Sequence, residues 1–197
     1  YESKTRGEEN TPEKVKRFNN EVEIFKKYWQ KELKELEKED IIEGIKKYLD
    51  NIILGYTGET EHYYESVISW MERRHGFSPK KEWFIMTAGV VPGIKEMVGA
   101  FTKPEDSVLM LTPVYYPFSA SIINNGRVIA DNPLVAVDDS YNINFDELEK
   151  IASEPDVKMM LLCSPHNPVG RVWTKAELKR IGDICLNNNV ILVSDEI

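Results

Sequence analysis

Residues 157–171 of the chain read VKMMLLCSPHNPVGR, which predicts a strand followed by a stiff turn. The apolar run over Val157–Leu162 is typical of a strand that is covered on both faces of a parallel sheet. Two prolines flank His166 and Asn167 and restrict the backbone of the turn. Open α/β sheets bind ligands at the carboxyl ends of their strands, so we interpret this turn as a candidate binding element. Taken alone, such a turn is more often an ordinary strand-to-helix loop.

A second candidate turn, Gly89–Gly93, lies between a predicted strand at Trp83–Met86 and a predicted helix at Ile94–Phe101. This order of elements directs backbone N–H groups and the positive end of the helix dipole at an anion. The turn has neither the lysine of a Walker loop nor the third glycine of a dinucleotide-binding loop. Its pattern alone therefore does not identify the anion.

Two more strand ends carry polar or aromatic groups. Tyr115 follows a predicted strand at Ser107–Leu111 and stands between prolines, which predicts a flat aromatic face. Asp195 lies near the end of a strand at Val190–Ile197, which we expect to be buried. With the amide of Asn167, the set offers an anion site, an aromatic face, an amide and a carboxylate. Pyridoxal 5′-phosphate (PLP) has a phosphate, a flat ring, a phenolic oxygen and a basic ring nitrogen that would use all four.

The alternation of predicted strands and helices from Trp83 onward indicates an α/β domain with three layers and a mainly parallel sheet. Before it, apolar residues recur every three or four positions, which predicts a long amphipathic helix. We therefore divide the chain into an N-terminal helical segment, residues 1–40, and a partial large domain, residues 41–197. The apolar positions of the long helix are Val15, Phe18, Val22, Phe25 and Trp29.

Capping signals and periodicity place the remaining elements. Asp40 is the expected N-cap of the helix that follows it, Gly76 is an expected helix stop, and Asn144 with Glu147 is an expected capping box. The predicted helices are Ile41–Leu49, His62–Arg74, Phe118–Asn125 and Phe145–Ser153, and a strand near the sheet edge is predicted at Arg127–Ala130.

The composition excludes several classes of protein. A net charge of -8 argues against a general nucleic-acid binder, and no apolar stretch is long enough to cross a bilayer. The 3 histidines are not clustered, and the 2 cysteines have neither disulfide nor zinc spacing, so we expect no metal site and a cytoplasmic location. Cys163 is interpreted as a small buried apolar residue rather than a nucleophile.

Five stretches of the sequence resemble the fold-type I PLP enzymes of the class I/II aminotransferase superfamily. More narrowly, they resemble its cystathionine β-lyase branch, the bacterial C–S lyases, and they follow that family's order along the chain. The stretches are IIE through LGYT at 41–57, TAGVVPG at 87–93, TPVYYPF at 112–118, LCSPHNPVGRVW at 162–173 and VSDEI at 193–197.

The resemblance implies a role for each candidate residue. The backbone N–H groups of Val90 and Val91 would bind the phosphate of PLP, and the Tyr115 ring would stack on the pyridine ring. Asn167 would hydrogen-bond the 3′ oxygen, and Asp195 would pair with the ring nitrogen. In a homodimer, as in this family, the remaining candidate in the Gly-Tyr-Thr turn, Tyr56, would reach the phosphate of the neighbouring subunit's cofactor.

The sequence departs from the family in two places. Family members carry a Schiff-base lysine, and further on a substrate-binding arginine, beyond the position that matches Ile197. No lysine of this chain has a matching context, and Lys95 on the helix after the phosphate turn is no substitute. We therefore expect an N-terminal part of a longer protein. Residues 1–40 also differ, because the family normally has a substrate-contacting segment there.

Three functional hypotheses follow from the resemblance. The first is a PLP-dependent C–S β-lyase that acts on cystathionine or a related cysteine conjugate and releases a thiol, pyruvate and ammonia. The second is a PLP-dependent class I/II aminotransferase. Either enzyme would take a small-molecule amino-acid substrate. The third is a catalytically inactive fragment or interaction module on the same fold.

The resemblance also implies an incomplete sheet. In the family, two strands from later in the chain separate the strand that matches Trp83–Met86 from the others. We therefore expect the strands near Val108, Val128, Met160 and Ile191 to pair as one group, and Trp83–Met86 to lack its usual neighbours.

Overall fold

A computed structural model describes residues 38–50 and 58–196 of the chain. The chain divides into two compact units, Tyr1–Lys81 and Glu82–Ile197. The predicted apolar helix face at positions 15–29 and the candidate residue Tyr56 lie outside the described residues. The predicted domain boundary at residue 40 stays a prediction.

The first unit contains two described helices, α1 at Lys38–Leu49 and α2 at Glu61–His75. Since α1 begins at Lys38, the prediction of Asp40 as its N-cap is wrong. The helix dipole favours an acidic residue in the first turn as well as at the cap, so the sequence signal does not fix the boundary. At the carboxyl end of α2, Gly76 has a left-handed conformation with φ 65°, which confirms the predicted helix stop.

The second unit alternates strands and helices, as the sequence predicts. The elements are α3 at Val90–Phe101, β1 at Ser107–Met110, α4 at Pro117–Ile123, β2 at Val128–Asp131, β3 at Val135–Val137, β4 at Ser140–Asn142, α5 at Phe145–Ala152, β5 at Val157–Ser164, α6 at Lys175–Asn187 and β6 at Ile191–Glu196. Four parallel strands form a sheet in the order β2-β1-β5-β6, and β3 and β4 form a separate antiparallel pair. The expected pairing of four strands as one group is therefore confirmed.

The side chains of β5 alternate between two apolar layers, because successive residues of a strand point to opposite faces of the sheet. On one face, Met160 and Leu162 belong to the cluster that contains Ile181 of α6. On the other face, Leu161 belongs to the cluster that contains Val98 of α3. Each fully buried side chain of this size contributes about 1.5–3 kcal/mol. The predicted α/β domain with a mainly parallel sheet, covered by helices on both faces, is confirmed.

The predicted strand at Trp83–Met86 is wrong. A short 3-10 helix occupies Lys81–Trp83, and positions 84–87 have no regular secondary structure. Ile85 is 86% exposed, and none of these residues pairs with a strand of either described sheet. A strand is stable only beside a hydrogen-bonding partner, and the expected neighbours of this segment are not among the described strands.

The expectation that the last strand is buried is also wrong in part. Ile191 is 41% exposed and Leu192 is 38% exposed, whereas Asp195 is buried. The strand β6 forms the edge of the described sheet and pairs only with β5, so one of its sides has no covering strand.

Candidate functional site

The amino end of α3 presents backbone donors to its surroundings. Gly89 precedes the helix with φ 139°, a conformation that favours glycine. Pro92 has no N–H, and the Gly93 N–H donates to the Gly89 carbonyl at 3.1 Å, which closes the first turn at Val90 instead of the predicted Ile94. No acceptor within the described segments binds the N–H groups of Val90 and Val91. Such donors at a helix amino terminus suit an anion.

Thr87 stabilises this turn, although no role was predicted for it from the sequence. Its hydroxyl donates to the Gly89 carbonyl at 2.9 Å. A β-carbon on Gly93 would lie 3.1 Å from the Thr87 Oγ1, so a larger residue at 93 would displace the Thr87 side chain by a few tenths of an ångström. A hydroxyl residue two positions before a glycine turn was the signal that could have identified it.

A cavity of about 520 Å³ lies between α3 and β6. Thr87 and Val90 line it from the α3 side, and Asp195 and Glu196 line it from β6. Its volume is in the range of small-molecule sites. The structure thus brings Val90 and Asp195, two residues predicted from separate strand ends, to the same cavity.

Asp195 is a buried carboxyl with 7% of its surface exposed. Burial raises the pKa of this carboxyl above its ordinary value, because water no longer stabilises the carboxylate. No cationic side chain of the described residues pairs with it. A positively charged ligand group beside Asp195 would reverse this effect and favour the ionised form.

The other candidates lie outside this cavity. Tyr115 is half-buried and packs against the apolar cluster between α3, α4 and the sheet, with its ring edge-on to Phe118 at 6.5 Å between centroids. Asn167 is exposed in the turn after β5. Val91 lines a separate open groove on α3. Val193 belongs to the same cluster as Tyr115, which places Tyr115 on the sheet face that carries α3.

The turn after β5 is closed by two backbone hydrogen bonds. The His166 N–H donates to the Arg171 carbonyl at 2.7 Å, and the Gly170 N–H donates to the His166 carbonyl at 2.7 Å. The Trp173 indole donates to the Cys163 carbonyl at 3.0 Å, and Arg171 pairs with Glu177 at 2.5 Å. The turn that carries Asn167 is therefore anchored at both ends.

The described cysteines have the character of packing residues. Cys163 and Cys185 are both buried. Burial raises the pKa of the Cys163 thiol, and it raises the pKa of the Cys185 thiol to about 11, which disfavours the reactive thiolate. In the parts of the chain that the structure describes, no group of three acidic, histidine or cysteine side chains could hold a metal ion. None of the described helices has the length and apolar character needed to cross a membrane.

The family model described as "Aminotransferase class I and II" matches residues 19–197. The chain belongs to this family.

Several members of this family are similar to the chain. Cystathionine beta-lyase PatB from Bacillus subtilis is 42% identical over 159 residues, which are 81% of this chain and 41% of that protein. The crystal structure of cystalysin from Treponema denticola, which contains PLP, is 51% identical with a TM-score of 0.78 and coverages of 79% and 40%. A PLP-bound putative aminotransferase from Clostridium difficile 630 is 43% identical with a TM-score of 0.76 and coverages of 80% and 40%. The chain thus spans about two fifths of the length of these relatives.

Proposed function

We propose that the chain is part of a PLP-dependent C–S β-lyase that acts on cystathionine or a related cysteine conjugate. The observation that carries this proposal is the similarity to a cystathionine β-lyase, at 42% identity over 81% of the chain. The similarity to cystalysin, whose crystal structure contains PLP, supports the same cofactor. The product would be a thiol with pyruvate and ammonia, and no keto acid would be required.

The residues that line the cavity suit PLP in charge. The amino end of α3 at Val90 offers donors for an anion, and Asp195 offers a buried carboxyl for a cation. We assign the phosphate to the N–H groups of Val90 and Val91, and the ring nitrogen to Asp195. A protonated ring nitrogen supplies the positive charge that this carboxylate lacks among the described side chains. Bound PLP supplies the electron-withdrawing ring that makes the α-proton of an amino acid removable.

Two further residues would orient the ring. We assign ring stacking to Tyr115 and a hydrogen bond to the 3′ oxygen to the Asn167 amide. Tyr56 would reach the phosphate of a neighbouring subunit's cofactor in a cytoplasmic homodimer. The base that removes the α-proton would be a Schiff-base lysine outside these residues.

Product analysis of the parent protein tests the reaction. Incubation with cystathionine and PLP is expected to release a thiol, pyruvate and ammonia in equal amounts without an added keto acid. Transfer of the amino group to a keto acid, with no thiol released, would support the aminotransferase instead. The similarity to the putative aminotransferase at 43% identity makes this the second candidate.

A separate experiment tests the third hypothesis, an inactive module. The parent protein is incubated with PLP and reduced with borohydride, and labelled lysines are mapped by mass spectrometry. One labelled lysine accompanied by turnover would exclude the inactive module. Reversible binding without turnover would support it.

A further inference from the structure

We propose that His166 is a positioning residue that holds the Asn167 turn and the Tyr115 loop at a fixed spacing through one side-chain hydrogen bond. The inference rests on the proposed function, in which both residues contact the PLP ring. It adds a residue that makes no contact of its own with the cofactor.

The His166 ring is buried, with 1% of the residue exposed. Its Nε2 lies 2.9 Å from the Pro113 carbonyl oxygen. A carbonyl can only accept, so Nε2 must carry the proton and donate it, which defines the tautomer of the neutral ring. The other ring nitrogen, Nδ1, is buried and has no hydrogen-bond partner. The hydrogen bond to Pro113 is therefore the main polar contact that an imidazole adds here over an apolar ring, and the backbone of Cys163 and Leu111 also interacts with the ring.

This bond joins the two loops that carry the proposed ring contacts. Pro113 lies two residues before Tyr115 in the loop between β1 and α4, and His166 directly precedes Asn167 in the turn after β5. The strands β1 and β5 are paired, but their pairing ends before these loops begin. Beyond the sheet, the His166–Pro113 bond is the direct side-chain link between them among the described hydrogen bonds.

The histidine ring is itself held in place from another side. The Trp173 ring packs edge-on against it, with centroids 5.2 Å apart and planes at 71°. Trp173 is anchored in turn by its indole hydrogen bond to the Cys163 carbonyl. Because the His166 ring is held by both contacts, its hydrogen bond to Pro113 limits movement of one loop relative to the other.

Binding of 4′-deoxypyridoxine 5′-phosphate to the full chain tests the proposal. This probe keeps the phosphate, the ring nitrogen and the 3′ hydroxyl of PLP but lacks the aldehyde, so it forms no Schiff base with surface lysines. Its absorption spectrum reports whether the bound 3′ oxygen is protonated. A hydrogen bond donated by Asn167 favours the ionised oxygen.

The variants His166→Phe and His166→Gln differ in the donor. Phenylalanine fills the site without an N–H, whereas the glutamine amide reaches the position of Nε2. We expect His166→Phe to weaken binding about fivefold, as for one neutral hydrogen bond, and to raise the apparent pKa of the bound 3′ hydroxyl. His166→Gln should retain the affinity and the spectrum of the parent chain.

Ser107→Ala is the matched control. Ser107 is buried and bonds Asp156 at the opposite, amino end of β1. It should lower stability without changing the affinity or spectrum of the probe. An unchanged affinity and spectrum in His166→Phe would overturn the positioning role.

If His166→Phe does not fold, His166→Asn replaces it, because its shorter amide does not reach the Nε2 position. Equal spectra for the Gln and Asn variants would then overturn the inference. A parent chain that binds inorganic phosphate but not the probe would instead refute the proposed function.

Discussion

The buried carboxyl of Asp195, which is suited to binding a cationic ligand group, reduces the stability of the ligand-free protein. Burial raises its pKa, so the folded chain holds the carboxyl proton more tightly than the unfolded chain does. Stability contributed by this group is therefore present below the ordinary Asp pKa and is lost as pH rises through the folded pKa. At neutral pH, a buried carboxylate that no described side chain neutralises lowers the free energy of unfolding.

Asp195→Asn is therefore expected to stabilise the ligand-free chain. The free energy of unfolding should rise by about 1–2 kcal/mol at pH 7, because the substitution removes a buried charge. The difference should disappear below about pH 3.5, where residue 195 is neutral in both the parent chain and the variant. Urea unfolding at the two pH values measures it. Asp183→Asn, an exposed carboxylate on α6, is the control. Equal gains from both variants would show that burial of Asp195 is not the cause.

The second prediction at the residue scale ranks Asp195 and Asn167 as ligand contacts. A charge-assisted hydrogen bond contributes about 1.5–3 kcal/mol, and a neutral one contributes about 1 kcal/mol. Asp195→Ala should therefore weaken binding of 4′-deoxypyridoxine 5′-phosphate about 10- to 150-fold, and Asn167→Ala about fivefold.

Calorimetric titration of both variants measures this ranking, and turnover of the parent protein with saturating PLP should follow it. The opposite order, with near-normal binding for Asp195→Ala, would contradict the assignment of Asp195 to the ring nitrogen.

The Arg127 side chain contacts the carboxyl end of α3 and is expected to stabilise it. The Arg127 Nε donates to the Thr102 hydroxyl at 2.8 Å, and one terminal nitrogen donates to the Gly99 carbonyl at 3.2 Å. The same guanidinium also contacts the carbonyls of Thr102 and Asn125. A cation at this end satisfies the last carbonyls and complements the helix dipole.

Arg127→Met should cost about 1–2 kcal/mol, because it removes these hydrogen bonds and retains most of the apolar stem. Urea unfolding measures the loss, and hydrogen exchange should locate it in the last turn of α3. Arg127→Lys should recover part of it through charge. If hydrogen exchange in α3 does not change in Arg127→Met, the Arg127 hydrogen bonds do not stabilise the end of this helix.

The elements also show where local signals suffice. Asn144 caps α5 as predicted by accepting the Glu147 N–H, because a cap involves residues only three positions apart. The reciprocal bond of the predicted capping box is not among the described hydrogen bonds, whereas Thr174 and Glu177, for which no box was predicted, form both bonds. The strand predicted at Trp83–Met86 is absent, because a strand needs a partner from elsewhere in the chain.

At the scale of the whole molecule, β6 leaves one side of the sheet open, with Ile191 and Leu192 exposed. An apolar strand edge favours association with other strands. Leu192→Lys should therefore reduce concentration-dependent association of the chain in sedimentation velocity. Leu178→Lys, at a similarly exposed position on α6, is the control. Equal effects of both variants would show that the edge is not the associating surface.

The sequence by itself determined the α/β layers, the four strands of the parallel sheet and the two turns that precede Val90 and carry Asn167. These features depend on periodicity, caps and turn residues, which act between neighbours in the chain. Tertiary structure decided that β6 is an edge of the described sheet, that Asp195 is buried at the α3 cavity with no cation among the described side chains, and that His166 donates to Pro113. Each of these depends on atoms that only folding brings together, so no local pattern of residues encodes them.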